Sequence, residues 1–418
     1  MTDAPAPPAR HDPYVALRHP DFRWYIFSLF TMTLGSQVQA VVVGWQVYSI
    51  THDTLSLGLI GLAEALPFIA MALPSGYIAD RWNRRTISAW SLGVLSLCSA
   101  SLLMLSLSPG LLARYGIAPI YVVIFASGIA RSMLQPARQA MSSELVPREH
   151  LPNAIAWRSS SWQTAAVVGP AIGGLIYGFA GAVSAYSVDA VLMLLALVGF
   201  LLLRYAPDER TVGEAGMVVR DLLSGLRFVF NEPVILAALS LDLFSVFLGG
   251  AEALLPVFAS EILKVGPQGL GILRAAPAVG AVLTGVYLAH RKPFQKAGQT
   301  LLAAVAIFSL CIIGFGLSRS FFLSLALLAV SGMADSVSVV IRSLLLQMLT
   351  PADMLGRVSA VNSVFVGSSN ELGAFESGVA ARVLGTVPAV VLGGAAALFV
   401  VAATRQLVPQ LRRLERIE

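Results

Sequence analysis

The stretch "GYIADRWNRR", residues 76–85, is a short charged segment between two long apolar runs. One acid, Asp80, stands directly before a basic cluster of Arg81, Arg84 and Arg85. The apolar runs on either side have the length of about 20 residues that crosses a bilayer as a helix. The stretch is therefore predicted to be a loop between two membrane-spanning helices.

The composition extends this interpretation to the whole chain. Of the 418 residues, 56% are hydrophobic and only 12% are charged, and the mean hydropathy is +0.77. A soluble domain carries roughly a quarter charged residues, so a fully water-exposed surface cannot be built from this sequence. Cys98 and Cys311 both fall in apolar runs, which argues against a disulfide framework. An integral membrane protein with no nucleic-acid partner is predicted.

Twelve membrane-spanning helices are expected. An all-α fold follows because the backbone has no water to bond to inside the bilayer, and the alternating pattern of a membrane β-barrel is missing from the sequence. The predicted spans are 22–48, 55–79, 86–107, 118–141, 153–178, 183–204, 234–260, 268–289, 299–317, 321–346, 358–382 and 387–407.

The distribution of Lys and Arg predicts the orientation. If the N-terminus is cytoplasmic, the outside loops carry only Arg114, Lys264 and Arg319, whereas the inside segments carry most of the cations. An excess of cations marks cytoplasmic loops. A multi-pass protein of a bacterial inner membrane, with both termini in the cytoplasm, is predicted.

The longest connection, 205–232, divides the spans six and six, and its second part has the pattern of an amphipathic surface helix with Leu222, Leu223, Leu226 and Phe230 on one side. The predicted organisation is a cytoplasmic lead-in (1–21), a first six-helix half (22–204), a cytoplasmic linker (205–232), a second six-helix half (233–407) and a cytoplasmic tail (408–418).

The two halves repeat each other. Gly128 and Gly332, Arg138 and Arg342, and Pro147 and Pro351 are each 204 positions apart, and the same shift carries Gly169 onto Gly373 and Gly174 onto Gly378. Earlier in each half, "EALP" at 64–67 aligns with "RAAP" at 274–277. Parallel repeats of this kind are typical of a transporter whose substrate site lies at the interface of the halves, near the membrane midplane.

Two motifs resemble those of the major facilitator superfamily. The stretch 76–85 is similar to its loop motif between helices 2 and 3, with Asn83 in place of a second glycine. "GPAIGG", 169–174, resembles a motif associated with exporters of that superfamily, and 43–85 resembles the enterobactin exporter-like branch of bacterial efflux proteins. The matching positions are Gly76, Asp80, Arg81, Arg84 and Arg85 in the loop motif, and Gly169, Pro170, Gly173 and Gly174 in the exporter motif.

The resemblance implies a role for the loop motif as a conformational latch. Asp80 would meet the N-terminus of the eleventh predicted span, 358–382, near residues 357–360. A carboxylate at that position gains about 0.3–1 kcal/mol from the helix dipole. The arginines would hold the cytoplasmic seam through nearby acids and lipid phosphates. The alternative is a plain positive-inside anchor, which explains the arginines but leaves Asp80 unexplained. The second half has Ala289 at the equivalent position, so the latch is one-sided.

Charges inside the predicted spans mark candidate site residues, because each costs at least about 2.5–3.5 kcal/mol at the bilayer centre. The repeat makes Arg131 equivalent to Asp335 and Glu64 equivalent to Arg274. The resemblance implies that Arg131 and Asp335 face a central cavity; alternatively, each charge is neutralised within its own half. The candidates for the substrate cavity or for energy coupling are Glu64, Arg131, Asp242, Glu252, Arg274 and Asp335.

Proton coupling is expected to involve Asp242, Glu252 or Asp335, since a buried carboxylate binds a proton more readily. Gly249 and Gly250 precede Glu252 and would let that helix bend. Asp189 is expected to be a local pairing residue, and Glu376 to lie in a helix-packing segment.

The predicted function is secondary active export of small amphipathic molecules, drugs or siderophore-like metabolites, by proton antiport through a monomer that contacts membrane lipids. The alternative within transport is an importer or facilitative uniporter. A membrane enzyme or a transport-dead sensor is disfavoured, because the sequence has no phosphate loop, no clustered catalytic groups and no metal-ligand spacing. No cofactor is therefore predicted.

Overall fold

The computed structural model describes residues 12–142, 144–204, 215–290, 296–351 and 354–412. Within these ranges the regular structure is helical and contains no strand. The α-helices are α1 (Pro20–Thr51), α2 (Thr54–Arg81), α3 (Arg84–Leu107), α4 (Pro109–Tyr115), α5 (Ala118–Ser142), α6 (Leu151–Leu201), α7 (Ala215–Asn231), α8 (Pro233–Gly249), α9 (Leu255–Val257), α10 (Gly266–Ala289), α11 (Ala297–Leu317), α12 (Phe321–Leu349), α13 (Leu355–Leu384), α14 (Thr386–Leu407) and α15 (Pro409–Arg412).

In the described ranges, ten helical segments are long and apolar enough to cross a membrane. One of them, α6, contains Gly181 with a non-helical φ of 78° and ψ of 179°, in the loop predicted between the spans 153–178 and 183–204. The helix α13 is 30 residues long but is not among the ten. Counting α6 as two passages and adding α13 would give twelve, a number that stays a prediction.

Short polar side chains cap the N-termini of α2 and α3, the two helices joined by the quoted loop. Asp53 caps α2, its Oδ1 accepting from the Leu55 N–H at 3.1 Å. Asn83 caps α3 in the same way, with its Oδ1 accepting from the Arg85 N–H at 2.9 Å. The φ of Asn83 is −59°, so this residue replaces the family's glycine by capping the next helix and does not need a left-handed turn.

The helices pack as two groups. Helices α1, α2, α3, α5 and α6 contact one another, as do α8 and α10–α14, and the most extensive contacts between the groups are α2 with α13 and α6 with α10. We call these the first and second groups. The N-terminal face is the side on which α1 begins, and the opposite face is the side on which α1 ends. The predicted half boundaries remain predictions.

The linker contains the predicted helix, α7, which packs on α13 at the N-terminal face. A Cβ on Gly225 would lie 2.9 Å from the Arg357 carbonyl, so the two backbones are in close contact there. Val229 is fully buried, whereas Leu223 and Phe230 are more than half exposed. The buried side of α7 therefore centres on Val229. Residues 205–214 of the linker and the side chain of Leu222 lie outside the described part of the chain.

The lead-in is anchored to the start of α6 from residue 12 onward. The indole N–H of Trp157 donates to the Pro13 carbonyl at 3.0 Å, and the Asn153 amide donates to the same oxygen at 2.8 Å. Residues 1–11 lie outside the described part.

Candidate transport site and gate

A cavity of about 280 Å³ lies between the two groups, lined by residues of α1, α2 and α8–α13. At 1.5 Å per residue, Glu64 is about 15 Å and Asp335 about 21 Å from the starts of their helices at the opposite face. The cavity therefore sits near the middle of a hydrocarbon core that is roughly 30 Å thick. The charged residues that line it are Glu64, Glu252, Arg274, Asp335 and Glu371.

Four of the six predicted cavity residues line this space, and the remaining two lie behind it. Arg131 contacts Glu64 at 3.3 Å, and its Nη2 donates to Gln39 Oε1 at 3.1 Å. The Gln39 amide in turn donates to Asp189 Oδ2 at 3.2 Å, and Asp189 is fully buried. A polar chain thus connects the cavity wall to Asp189 within the first group.

Asp242 forms an ion pair with Arg342, joining α8 to α12 within the second group. Both side chains are almost completely buried. Asp335 lies within electrostatic range of this pair and of Glu252. Arg131 and Arg342 are thus each paired within their own group, so these two charges are neutralised locally. The roles of these residues in substrate binding and in proton coupling stay predictions.

The glycine pair that precedes Glu252 coincides with a break in the helix. α8 ends at Gly249, and Gly250 adopts φ −71° and ψ 94°. Ser377 of α13 donates its hydroxyl to the Gly250 carbonyl at 2.8 Å, which satisfies a backbone group that the break leaves free inside the membrane. The break places Glu252 in a 3₁₀ turn on the wall of the cavity.

Glu371 is a cavity residue that the sequence did not single out as a candidate. It lies on α13, one turn from Ala374, on the face that packs against α2: a Cβ on Gly61 would lie 2.6 Å from Ala374 Cβ and 2.7 Å from the Glu371 carbonyl. A signal for this position was available in the sequence. Ala374 and Gly378 follow Glu371 at helical spacing, and small residues on one face mark a helix contact.

The glycines of the exporter motif let α6 pack closely against two other helices, α1 and α10. A Cβ on Gly169 would lie 2.5 Å from Gln37 Cβ, and one on Gly173 would lie 3.0 Å from Val38 Cα, both on α1. A Cβ on Gly174 would lie 2.8 Å from Gly271 Cα on α10. The motif therefore brings α6 against α1 inside the first group and against α10 across the interface.

A gate closes the opposite face between the groups. Its apolar layer joins Val41 and Leu57 of the first group to Leu254 and Phe258 of the second. Polar contacts reinforce this layer: the Tyr48 hydroxyl donates to Glu261, and Arg382 contacts Asp53 at 2.6 Å. We use the word gate for these residues together with the glycine contacts of α2–α13 and α6–α10.

The loop motif lies at the N-terminal face. Arg84 contacts Glu144 at 2.9 Å, and the Arg85 guanidinium donates to the Leu201 carbonyl at 3.4 Å. Both contacts are within the first group, so these two arginines also stabilise the packing of that group. The side chains of Asp80 and Arg81 lie outside the described part, and the latch contact of Asp80 stays a prediction.

Comparisons with known proteins agree with a helical membrane protein that has a charged central cavity. The chain matches the family described as transmembrane secretion effector over residues 11–418. It belongs to this family, a branch of the major facilitator superfamily, and is a multi-pass membrane transporter.

Individual relatives and solved structures are similar to the chain. It is 28% identical to the enterobactin exporter EntS of Escherichia coli O1:K1 / APEC over 352 residues, which is 82% of this chain and 81% of that protein. The same values hold for EntS of Shigella boydii serotype 18.

The fold is also that of solved transporters. The nucleoside transporter NupG superposes with a TM-score of 0.74 at 12% identity, covering 93% of this chain and 100% of that one. A bacterial homologue of the lysosomal transporter Spinster, solved inward-facing and occupied, gives 0.69 at 17% identity, with coverage of 97% and 98%. At these identities the likeness shows the fold alone.

Proposed function

We propose that the chain is a proton-driven exporter of small amphipathic molecules that works by alternating access. The observation that carries the proposal is the charged mid-depth cavity between two helix groups, closed by a gate at one face. Membership of a secretion family and similarity to an enterobactin exporter support export as the direction.

The lining of the cavity favours a particular substrate class. Apolar walls come from residues such as Ile60, Phe308 and Leu328, while four carboxyl groups and one arginine supply the charge. An anion would be repelled by this excess of acids, because Coulomb interactions are strong away from bulk water. An uncharged or cationic molecule with an apolar body fits best, and a drug or a siderophore-like metabolite in such a form belongs to that class.

The gate and the predicted orientation together suggest which side is open. With the N-terminus in the cytoplasm, the closed opposite face is the outer one, so this conformation would receive substrate from the cytoplasm. Asp80 and the arginines of the loop motif would form the corresponding latch in the conformation that opens outward. The six-helix halves, 22–204 and 233–407, would move as the two units of this cycle.

Glu252 and Asp335 are the carboxylates that we propose for proton coupling, since both reach the cavity while Asp242 is held by Arg342. A coupling carboxylate must gain and lose a proton as the cavity changes sides. A Gln or Asn at that position mimics the protonated form permanently. Such a variant should lose gradient-driven transport but retain substrate exchange.

Reconstituted vesicles containing the full chain provide the test. Enterobactin and the amphipathic cation ethidium would serve as probes, with a proton gradient imposed in either direction. Movement of a probe against its gradient, driven by opposite proton flow and absent from empty vesicles, would support the proposal. Downhill movement that ignores the proton gradient would favour a uniporter, and movement in the same direction as protons would favour an importer.

A cell-based test complements the vesicles. A strain in which this chain is deleted should become more sensitive to a toxicant or should secrete less of a metabolite, and the wild-type sequence should restore the phenotype. The same screen with the Glu252→Gln and Asp335→Asn variants would show whether the coupling residues matter in cells.

A further inference from the structure

Two carboxyl groups from different helix groups meet in the cavity. Glu64 of α2 and Glu371 of α13 both line it, and they lie at the contact between the two helices, where a Cβ on Gly61 would lie 2.7 Å from the Glu371 carbonyl. An ionised carboxylate can only accept a hydrogen bond, whereas a protonated one can donate. A proton bound by either carboxyl group would remove the repulsion between two ionised carboxylates and would let that group donate to the other.

The pair lies next to the closest backbone approach between α2 and α13. A Cβ on Gly58 would lie 3.0 Å from Gly378 Cα, and one on Gly61 would lie 2.7 Å from the Glu371 carbonyl. Glu64 is one helical turn beyond Gly61, on the cavity side of this contact. Separation of α2 from α13, which opening of the gate demands, must pull the two carboxyl groups apart.

Charged groups from several elements surround the pair. Arg131 of α5 contacts Glu64 at 3.3 Å, and Arg131 and Arg274 of α10 both act electrostatically on Glu371. Glu252, after α8, and Asp335 of α12 face the same cavity. The pair is thus surrounded by two arginines and two further carboxyl groups.

Losing the shared proton would change the pair from attractive to repulsive. Two ionised carboxylates that face one cavity from adjacent helices repel each other, and a proton bound by either one removes that repulsion. The two arginines offset part of this repulsion, while Glu252 and Asp335 add to the negative charge. The closed gate therefore binds the proton more tightly than an open gate, in which the carboxyl groups are separated.

We propose that Glu64 and Glu371 form a proton-binding site between the two helix groups, which holds the gate closed while occupied and favours opening when empty. The proposal rests on the proposed function for its place in a transport cycle. There, a proton would enter from the opposite face while the gate is open, bind between the carboxyl groups and close the gate. It would leave toward the N-terminal face as substrate enters the cavity.

A distance measurement on the full chain tests this without substrate or gradient. Spin labels would be placed on cysteines at Arg114 and Arg319, which are exposed at the opposite face on the first and second groups. The buried Cys98 and Cys311 would be replaced by alanine. Distances in lipid nanodiscs would be recorded by pulsed electron paramagnetic resonance between about pH 5 and pH 9.

The wild-type distribution should move from short distances at low pH to long distances at high pH. Glu371→Gln should stay short throughout, because the amide donates to Glu64 without a proton that can leave. Glu64→Gln places the same amide on α2, in the first group, and should have the same effect. It replaces Glu371→Gln in the experiment if that variant does not fold. The matched control is Glu376→Gln, on the same helix but lining a separate groove with Phe247 and Leu372, which should keep the wild-type shift.

A wild-type distance that does not change with pH would overturn the proposal, as would a normal shift in both Glu371→Gln and Glu64→Gln. These results are independent of the proposed function. A vesicle assay that shows no proton-driven export, combined with a proton-controlled gate, would remove the function and leave the site. Proton-driven export combined with a gate indifferent to pH would do the reverse.

Discussion

Gly174 of α6 and Gly271 of α10 face each other across the two helix groups with no room for a side chain on either. A Cβ on Gly174 would lie 2.8 Å from Gly271 Cα, and one on Gly271 would lie 2.4 Å from the Pro170 carbonyl. The repeat places a second contact of the same kind elsewhere: Gly378, 204 positions after Gly174, would direct a Cβ to within 2.6 Å of Gly58 Cα on α2. The gate is therefore closed by two related glycine contacts.

Gly174→Val should prevent closure of the gate without preventing membrane insertion. The added side chain meets backbone that cannot move alone, and overpacking of this kind costs about 1–3 kcal/mol, so the ratio of closed to open protein should fall by about 5- to 150-fold. The spin-label pair at Arg114 and Arg319 would report longer distances. Gly285→Val, on α10 where a Cβ meets nothing within 4 Å, is the matched control. Equal distances in the two variants would contradict the packing argument.

Arg382→Gln should weaken the closed gate only slightly. Its ion pair with Asp53 is 2.6 Å long but partly exposed, and exposed pairs contribute about 0.2–1 kcal/mol, so the closed population should change by at most about fivefold. The effect should shrink at high salt. Arg405→Gln, an exposed cation at the N-terminal face, is the control. A change much larger than fivefold would mean that Arg382 does more than form this pair.

The apolar runs predicted most of the helices because the bilayer restricts the backbone to few conformations. The glycine pair at 249–250 was expected only to let the predicted span 234–260 bend, but α8 ends there at Gly249, since glycine weakens a helix locally. The spans are harder to count at α13, where Glu371, Glu376 and several polar residues lower the apolar character along the chain.

Side-chain partners could not be predicted from the sequence, because they depend on how each helix is rotated about its axis. The resemblance implied that Arg131 and Asp335 face the cavity, but it gave no indication that Arg131 contacts Glu64 or that Arg342 contacts Asp242. The repeat gives no signal for Glu371, because its repeat equivalent is the uncharged Val167. Its neighbour in the cavity, Glu64, lies in the other group. Contacts between distant helices leave no local pattern.

Asp80→Asn should impair transport while leaving insertion and abundance nearly unchanged. The latch proposal assigns Asp80 to one conformation of the cycle, so removing its charge should alter the balance of conformations more than the fold. Reconstituted transport rates normalised to protein amount would measure this. Glu149→Gln, another acid at the N-terminal face and 78% exposed, should have no effect. Wild-type transport by Asp80→Asn would remove the latch proposal.

A double-mutant cycle should show that Arg131 is coupled to Glu64 more strongly than to Asp335. Residues in direct contact show interaction energies of about 0.5–3 kcal/mol, whereas separated residues are nearly additive. The variants are Arg131→Gln, Glu64→Gln, Asp335→Asn and the two double combinations, and thermal stability in detergent is the readout. A larger interaction energy for Arg131 with Asp335 would mean that these two side chains meet across the cavity.

Asp242→Asn should lower abundance and thermal stability strongly, because it leaves the Arg342 guanidinium buried with its ion-pair partner neutralised. Breaking a buried pair from one side costs about 3–5 kcal/mol, whereas replacing both members by apolar residues is often neutral. The double variant Asp242→Leu with Arg342→Met should therefore recover much of the loss. Fluorescence-detected size exclusion and melting temperature in detergent would measure both effects.

The recovered double variant also separates structure from coupling at Asp242. If Asp242 serves only to neutralise Arg342, the double variant should drive transport with a proton gradient as well as the wild type does, once rates are normalised to folded protein. If Asp242 carries the coupled proton, the double variant should fold, exchange substrate and fail to accumulate it. An Asp242→Asn variant of normal stability would contradict the pairing argument itself, because the buried guanidinium would then tolerate the loss of its counter-charge.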